Sequence, residues 1–254
     1  MLFPFDYGLI LGISLIIFLF MMLGLCTSYI IKNVSIIDLF WCIGLFFQVF
    51  CYWIFSDRLW FHHLFLMLIF IWMFRLSFFF YWTRFRHGHI DHRYESIINQ
   101  SSWGKHVTIV TQYLFQWFLQ VILGLSYLPL LSSKSIHPIF FFVGITLLTI
   151  SIIGESISDF QLYKFKKTSS GVFRKGLWSL SRHPNYLFHW LCWVAIFTCS
   201  VGTLGWYVSL IGVFGMWIIF RFITGPVLER LSLKRKGNEY RDYQQSVGMI
   251  IPKF

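Results

Sequence analysis

A charged stretch from Glu155 to Tyr186 interrupts a chain that is apolar over most of its length. Within this stretch, Glu155, Asp159 and Lys166 recur at helical spacing, so all three share one stripe of a helix. Carboxylates in a membrane-type helix are costly and normally face the protein interior or a wet cavity. An ion pair with a loop arginine would also satisfy them, but the stripe favours a polar pocket at the charged end of the helix.

The same stretch ends in a basic loop and a helix start. Arg182 and His183 stand just before Pro184, which suits the first turn of a helix. Helix starts with free N–H groups bind phosphate, although a basic residue at this place is also an ordinary membrane-interface anchor. Asn185 and His189 then fall on one face of the new helix. A histidine there is either a proton donor near neutral pH or a buried structural residue.

A second polar island spans residues 83–106. Arg84 and Arg86 in it are suited to gripping phosphates. The run HGHIDH resembles a zinc site, but no properly spaced fourth ligand follows, so we predict no metal. The sequence from Asp91 to Tyr94 is expected to lock the loop in place. The five cysteines lie inside apolar segments and are expected to be buried free thiols.

The predicted helices 35–55 and 63–82 contain a few polar or amphipathic side chains, which are uncommon in such apolar segments. These residues are Gln48, Tyr52, Trp72 and Arg75. They are candidates to line a cavity for a hydrophobic substrate, and the alternative is that they only pack against neighbouring helices. Glutamines at 112, 116 and 120 form a further polar seam, which hydrogen bonding between helices explains.

The elements that must position these residues are membrane helices. The chain of 254 residues is 57% hydrophobic and only 12% charged, against roughly 45–50% apolar and about 25% charged in soluble domains. We predict an all-α polytopic membrane protein with about seven spans, each needing about 20 apolar residues. The spans are 7–31, 35–55, 63–82, 107–131, 138–163, 185–201 and 204–228, and 185–201 is short enough to enter only partway.

Most of the 21 lysines and arginines fall on one side of these spans. The positive-inside rule makes that side cytosolic, which puts the N-terminus outside and the C-terminus in the cytosol. Orientation explains much of the formal charge of +11, so the charge does not indicate a nucleic-acid partner. The expected partners are the lipid bilayer and a hydrophobic small molecule. The sequence sets no expectation for oligomeric state or for which membrane.

Five motifs resemble a known family of membrane proteins. They are NVSIIDLFW, RLSFFFYWTRFRHGHIDHRY, ESISDFQLYKFKK, GLWSLSRHPNY and PVLERLSLKRKGNEYRDY, followed by a final IIP. In this order and spacing they resemble the family of unknown function DUF1295, which is related to the C-terminal domain of steroid 5-alpha-reductases. The wider superfamily includes sterol reductases, which use NADPH, and isoprenylcysteine carboxyl methyltransferases, which use S-adenosylmethionine. The resemblance implies one integral-membrane domain over 1–254, with 107–254 as its most motif-rich half.

The resemblance to the reductases implies a cytosol-facing nucleotide pocket. It assigns to this pocket Asp159, Lys166, Arg174 and Asn185, with Arg84 and Arg86 reaching in from the earlier loop. The candidate cofactor-binding set also includes Glu155, Arg182, His183, Tyr186 and Tyr243. NADPH carries a pyrophosphate and a 2′-phosphate, which suit arginine and lysine. No G-x-G-x-x-G occurs, so a Rossmann domain is not the means of binding.

The chain departs from the family where the chemistry is expected. Most of the family has Gly-Glu at the place of Phe188-His189, which makes His189 the candidate catalytic acid. The Gln-Glu pair with which steroid reductases polarise a ketone has no clear match, since Val49 follows Gln48. The first hypothesis is therefore an NADPH-dependent reductase of a lipid double bond. The alternatives are an S-adenosylmethionine-dependent methyltransferase of a lipid or isoprenoid, which Arg182-His183-Pro184 resembles equally, and a non-catalytic lipid or sterol binder.

Overall fold

The computed structural model describes residues 5–83, 85–87 and 91–253. Its secondary structure is helical, and in these ranges the only β-type pairing is an isolated bridge between Ser181 and Gly248. The α-helices are α1 (Tyr7–Ile30), α2 (Ile37–Ile54), α3 (Trp60–Thr83), α4 (His92–Gln100), α5 (Lys105–Gly124), α6 (Leu128–Leu131), α7 (Pro138–Thr168), α8 (Pro184–Ser200), α9 (Leu210–Ile218) and α10 (Gly225–Ser246). A π-helix, Ile219–Thr224, joins α9 to α10.

Six helices in the described part of the chain are long and apolar enough to cross a membrane. They are Tyr7–Ile30, Val34–Ile54, Trp60–Thr83, Lys105–Leu131, Pro138–Thr168 and Trp206–Ser246. The protein is thus an all-α polytopic membrane protein, as predicted. The remaining predicted span, 185–201, corresponds to α8, whose 17 residues fall short of the about 20 that a full crossing needs.

The chain forms two compact units, Met1–His137 with Ser200–Ile211, and Pro138–Cys199 with Gly212–Phe254. In the first unit, α2 and α5 interlock through glutamines that pack against glycines. The Gln120 amide lies against Gly44 and the Gln48 amide against Gly124, where a Cβ would collide with each amide. Gln120 Nε2 also donates to the carbonyl of Trp41 at 2.8 Å. This confirms Gln120 as part of a hydrogen-bonded helix–helix seam.

Tyr94 and Arg93 on α4 close a polar lock in the first unit. Asp38 on α2 accepts a 2.5 Å bond from the Tyr94 hydroxyl and a 2.6 Å bond from Arg93. Arg93 also pairs with Asp91, whose backbone N–H donates to Ser35 Oγ at 2.7 Å. Burial, and then the Asp38 carboxylate, raise the pKa of Tyr94 well above its ordinary value, so its hydroxyl stays a donor. The predicted loop lock is confirmed.

The second unit is built on the antiparallel pair α7 and α8. Gly144 on α7 faces Ala195 and Cys199 on α8 so closely that only a glycine fits. The loop after α7 folds back along it, because Trp178 Nε1 donates to the Ser158 carbonyl at 3.0 Å. The C-terminal segment then pairs with the end of this loop through a bond from the Arg182 N–H to the Gly248 carbonyl at 2.9 Å.

Candidate functional site

Two carboxylates on α7 pair with two polar side chains on α8 and form a short ladder. Glu155 Oε1 lies 3.0 Å from Nδ1 of His189. One turn further along α7, Asp159 Oδ1 accepts a 3.2 Å bond from the Asn185 amide. Glu155, Asp159 and His189 are only 3%, 7% and 7% exposed. The ladder places the three ionisable groups inside the protein, beside the C-terminal half of α7, as the helical stripe predicted for the carboxylates.

The contact with Glu155 fixes the orientation of the His189 imidazole. With the carboxylate ionised, the Nδ1–H of His189 donates to Glu155, and this bond selects the tautomer of the ring. The proton that such a histidine exchanges with a reactant is then the one at Nε2. The Glu155 carboxylate therefore orients the His189 ring. The sequence did not assign this role to Glu155.

Glu229, on α10, holds the basic residues that precede α8. Its carboxylate accepts bonds from Arg182 Nη2 at 2.7 Å and Nε at 3.1 Å, and lies 2.8 Å from His183 Nε2. The Tyr240 hydroxyl donates to it at 2.6 Å and the Gln244 amide at 2.8 Å. Arg182 and Glu229 side chains are 10% and 9% exposed. This buried cluster neutralises Arg182 internally.

Arg174 and Tyr243 lie together at the loop that follows α7. Arg174 donates to the backbone carbonyl of Glu239, and its guanidinium lies 5.5 Å from the centre of the Tyr243 ring. Glu239 in turn accepts a 2.8 Å bond from the Val172 N–H, and Lys236 Nζ donates to the Gly171 carbonyl at 2.7 Å. The loop is thus held against α10 next to Gly237, whose backbone adopts φ 56° and ψ −132° inside that helix.

The predicted cofactor residues fall into separate groups. Glu155, Asp159 and Asn185 meet in the ladder with His189, the predicted catalytic residue. Lys166 is exposed further along α7. Tyr186 stacks on His183 with ring centres 5.3 Å apart. Arg84 lies outside the described residues. Arg86, in the first unit, places its guanidinium 4.3 Å from the centre of the Trp82 ring.

The predicted substrate residues all belong to the first unit. Gln48, Tyr52 and Trp72 are buried there and Arg75 is half-buried. Gln48 donates to the Tyr52 hydroxyl and to the Val121 carbonyl, both at 3.3 Å. These contacts account for Gln48 as part of the seam between α2 and α5, and its role toward a substrate stays a prediction.

Two residues of the second unit were missed by sequence reasoning. Glu229 had a signal, because it is an acidic residue at the start of a strongly basic tail. Phe220, which contacts both Tyr186 and His189, had none, since the chain contains 31 phenylalanines. Over the described residues, no three or more His, Cys, Asp or Glu side chains group as metal ligands would.

Comparison with known protein families identifies a match. The family described as "Protein of unknown function (DUF1295)" matches residues 25–247, which is most of the chain and includes every residue of the ladder and of the Glu229 cluster. No curated protein matches, and no solved structure does.

Proposed function

This chain belongs to the DUF1295 family, and from that premise we propose that it is an NADPH-dependent oxidoreductase acting on a carbon–carbon double bond. The substrate would be a steroid-, isoprenoid- or enoyl-like lipid. The observation that supports this best is the buried ladder of α7 and α8, because it sets an oriented histidine one helical turn from a carboxylate–amide pair. The orientation expected from the basic loops turns this end of α7 toward cytosolic NADPH.

The donor set of the second unit suits a dinucleotide. Asp159 and Asn185 offer a carboxylate and an amide to ribose hydroxyl and carboxamide groups. Lys166 and Arg174 are exposed cations beyond the end of the ladder, and they would hold phosphates. When bound, NADPH supplies a hydride to the electron-poor carbon of the double bond.

His189 would complete the reduction. Its Nε2 would give a proton to the carbon next to the one that receives the hydride, so that hydride and proton together saturate the bond, or it would polarise a conjugated carbonyl by donating a hydrogen bond to its oxygen. Glu155 would stabilise the imidazolium form and keep the ring oriented. Burial of the pair among apolar helices would exclude water from the reacting carbon.

An S-adenosylmethionine-dependent methyltransferase is the second candidate, and the Glu229 cluster favours it. Arg182 and His183 add to the basic character on which the choice of NADPH depends, yet both contact the Glu229 carboxylate. Fewer cations are therefore left to neutralise the phosphates of NADPH. A cofactor that carries a positive sulfonium needs fewer of them.

Cofactor titration separates the two candidates. The protein purified in detergent is titrated with NADPH, NADH and S-adenosylmethionine, and the melting temperature and energy transfer from tryptophan are recorded. A cofactor at 100 times its Kd stabilises the folded state by about 2.7 kcal/mol. The reductase proposal expects this with NADPH, and it fails if only S-adenosylmethionine stabilises the protein.

Single-residue variants test the roles proposed for Arg174 and His189. Arg174→Ala is expected to weaken NADPH more than NADH if it holds the 2′-phosphate, and equal losses would remove that role. Lys134→Ala, an exposed lysine of the first unit, is the matched control and is expected to change neither. His189→Gln is expected to abolish reduction of a lipid enone while NADPH still binds. Retained turnover in His189→Gln would exclude the histidine as the acid.

A further inference from the structure

The last membrane-spanning helix changes geometry beside the ladder. From Ile219 to Thr224 it is a π-helix, and the Gly225 N–H closes it by donating to the carbonyl of Phe220, five residues earlier. Pro226 is the physical cause, because it has no N–H and its ring clashes with the carbonyl four residues before it in a regular α-helix. Widening the turn relieves the clash. Gly225 is required, since a Cβ there would press on the Phe220 carbonyl oxygen.

The π-helix directs the Phe220 ring onto α8. That ring lies parallel to Tyr186, with centres 4.3 Å apart and an angle of 8°. It is nearly perpendicular to the His189 imidazole, at 5.3 Å and 79°. Phe220 is buried, at 7% exposed, whereas Phe222 in the same π-helix is 64% exposed. Phe220 and Phe222 thus lie on opposite sides of the helix, and only the ring of Phe220 packs against the histidine.

We propose that Phe220 is a positioning residue for His189, an inference that deepens the proposed function and rests on it for its role in reduction. Glu155 bonds to Nδ1 of the imidazole. The imidazole turns about its Cβ–Cγ bond, and the Phe220 ring packs against it at nearly a right angle. Together these two contacts restrict the rotation and set the direction in which Nε2 points.

A stack of rings ties this position to the Glu229 cluster. Phe220 lies on Tyr186, Tyr186 lies on His183 at 5.3 Å and 18°, and His183 Nε2 is 2.8 Å from Glu229. The orientation of His189 is therefore supported from two sides, by Glu155 on α7 and by a chain of contacts that begins on α10.

Nuclear magnetic resonance of the His189 imidazole tests the proposal directly. The protein is labelled with ¹³C,¹⁵N-histidine and purified in detergent, and the ring signal of His189 is assigned as the one that His189→Gln removes. Phe220→Leu is expected to displace and broaden this signal, because the neighbouring ring current is lost and the imidazole rotates. Phe222→Leu is the matched control and is expected to leave the signal unchanged. Phe220→Tyr keeps the ring and is expected to restore the wild-type signal.

The possible outcomes distinguish the positioning role of Phe220 from the reductase proposal. An unchanged His189 signal in Phe220→Leu, or the same change in Phe222→Leu, overturns the positioning role. Where wild type reduces a lipid enone, Phe220→Leu is expected to lower kcat roughly 10- to 100-fold with an unchanged KM for NADPH. If wild type reduces no lipid and the signal still moves, the positioning role stands and the reductase proposal fails. Should Phe220→Leu not fold, Tyr186→Leu removes the ring on which Phe220 rests and must displace the same signal.

Discussion

Replacing Glu229 by glutamine removes the negative charge from the centre of a buried cluster. The carboxylate accepts bonds from Arg182, Tyr240 and Gln244 and pairs with His183, and the side chains of Arg182 and Glu229 are 10% and 9% exposed. Glutamine keeps the volume, but its NH₂ group turns a donor toward donors and leaves the Arg182 charge buried without a counter-ion. Removing one partner of a buried ion pair costs about 3–5 kcal/mol.

That loss converts to a fall in melting temperature of roughly 6–20 °C, since each kcal/mol shifts Tm by about 2–4 °C in a chain of this size. Thermal unfolding of the detergent-purified protein, followed by tryptophan fluorescence, measures it. Glu95→Gln makes the same chemical change at an exposed pair, where the His92 and Glu95 side chains are 64% and 46% exposed, and is expected to alter stability by less than about 1 kcal/mol. Equal melting temperatures for Glu229→Gln and Glu95→Gln would refute the reasoning.

Two further substitutions test other parts of the fold by the same measurement. Gly237→Ala is expected to destabilise the protein by about 1–3 kcal/mol, because φ 56° and ψ −132° are accessible essentially only to glycine. The exposed helical Gly12, with nothing near its would-be Cβ, is the control, and Gly12→Ala should be neutral or slightly stabilising; equal effects at both sites would contradict the strain argument. Tyr94→Phe removes a buried bond to the Asp38 carboxylate and is expected to cost roughly 1.5–3 kcal/mol. Tyr29→Phe, at an exposed contact, should change little, and a Tyr94→Phe protein as stable as Tyr29→Phe would show that the lock does not stabilise the first unit.

Helix positions were predictable because hydropathy and helical period are local properties of the chain. Six of the seven apolar runs predicted as spans correspond to helices that are long and apolar enough to cross a membrane. The same period placed Glu155 and Asp159 on one stripe of α7, and Asn185 and His189 on one face of α8. Residues 169–183 connect α7 to α8, and the two helices run antiparallel, so that these two faces meet.

Partners distant in the chain were not predictable in the same way. A carboxylate such as Glu229 has many lysines and arginines within reach in an unfolded chain, and no spacing rule selects Arg182, 47 residues away. Arg182 and His183 therefore seemed equally suited to a phosphate until their contacts with Glu229 were known. The π-helix had a partial signal in Gly225-Pro226, but the direction in which it turns Phe220 depends on how α8 packs beside it.

By itself the sequence determined that this is a membrane protein of helices, with its charge concentrated in residues 83–106, 155–186 and 229–242. Those properties depend on composition and on intervals of three or four residues. Only the tertiary structure decided that Glu155 orients His189, that Glu229 neutralises Arg182, and that Phe220 packs against the imidazole. Each of these depends on distances of 2.7–5.3 Å between side chains that are far apart in the chain. Such distances are fixed by packing and not by separation along the chain.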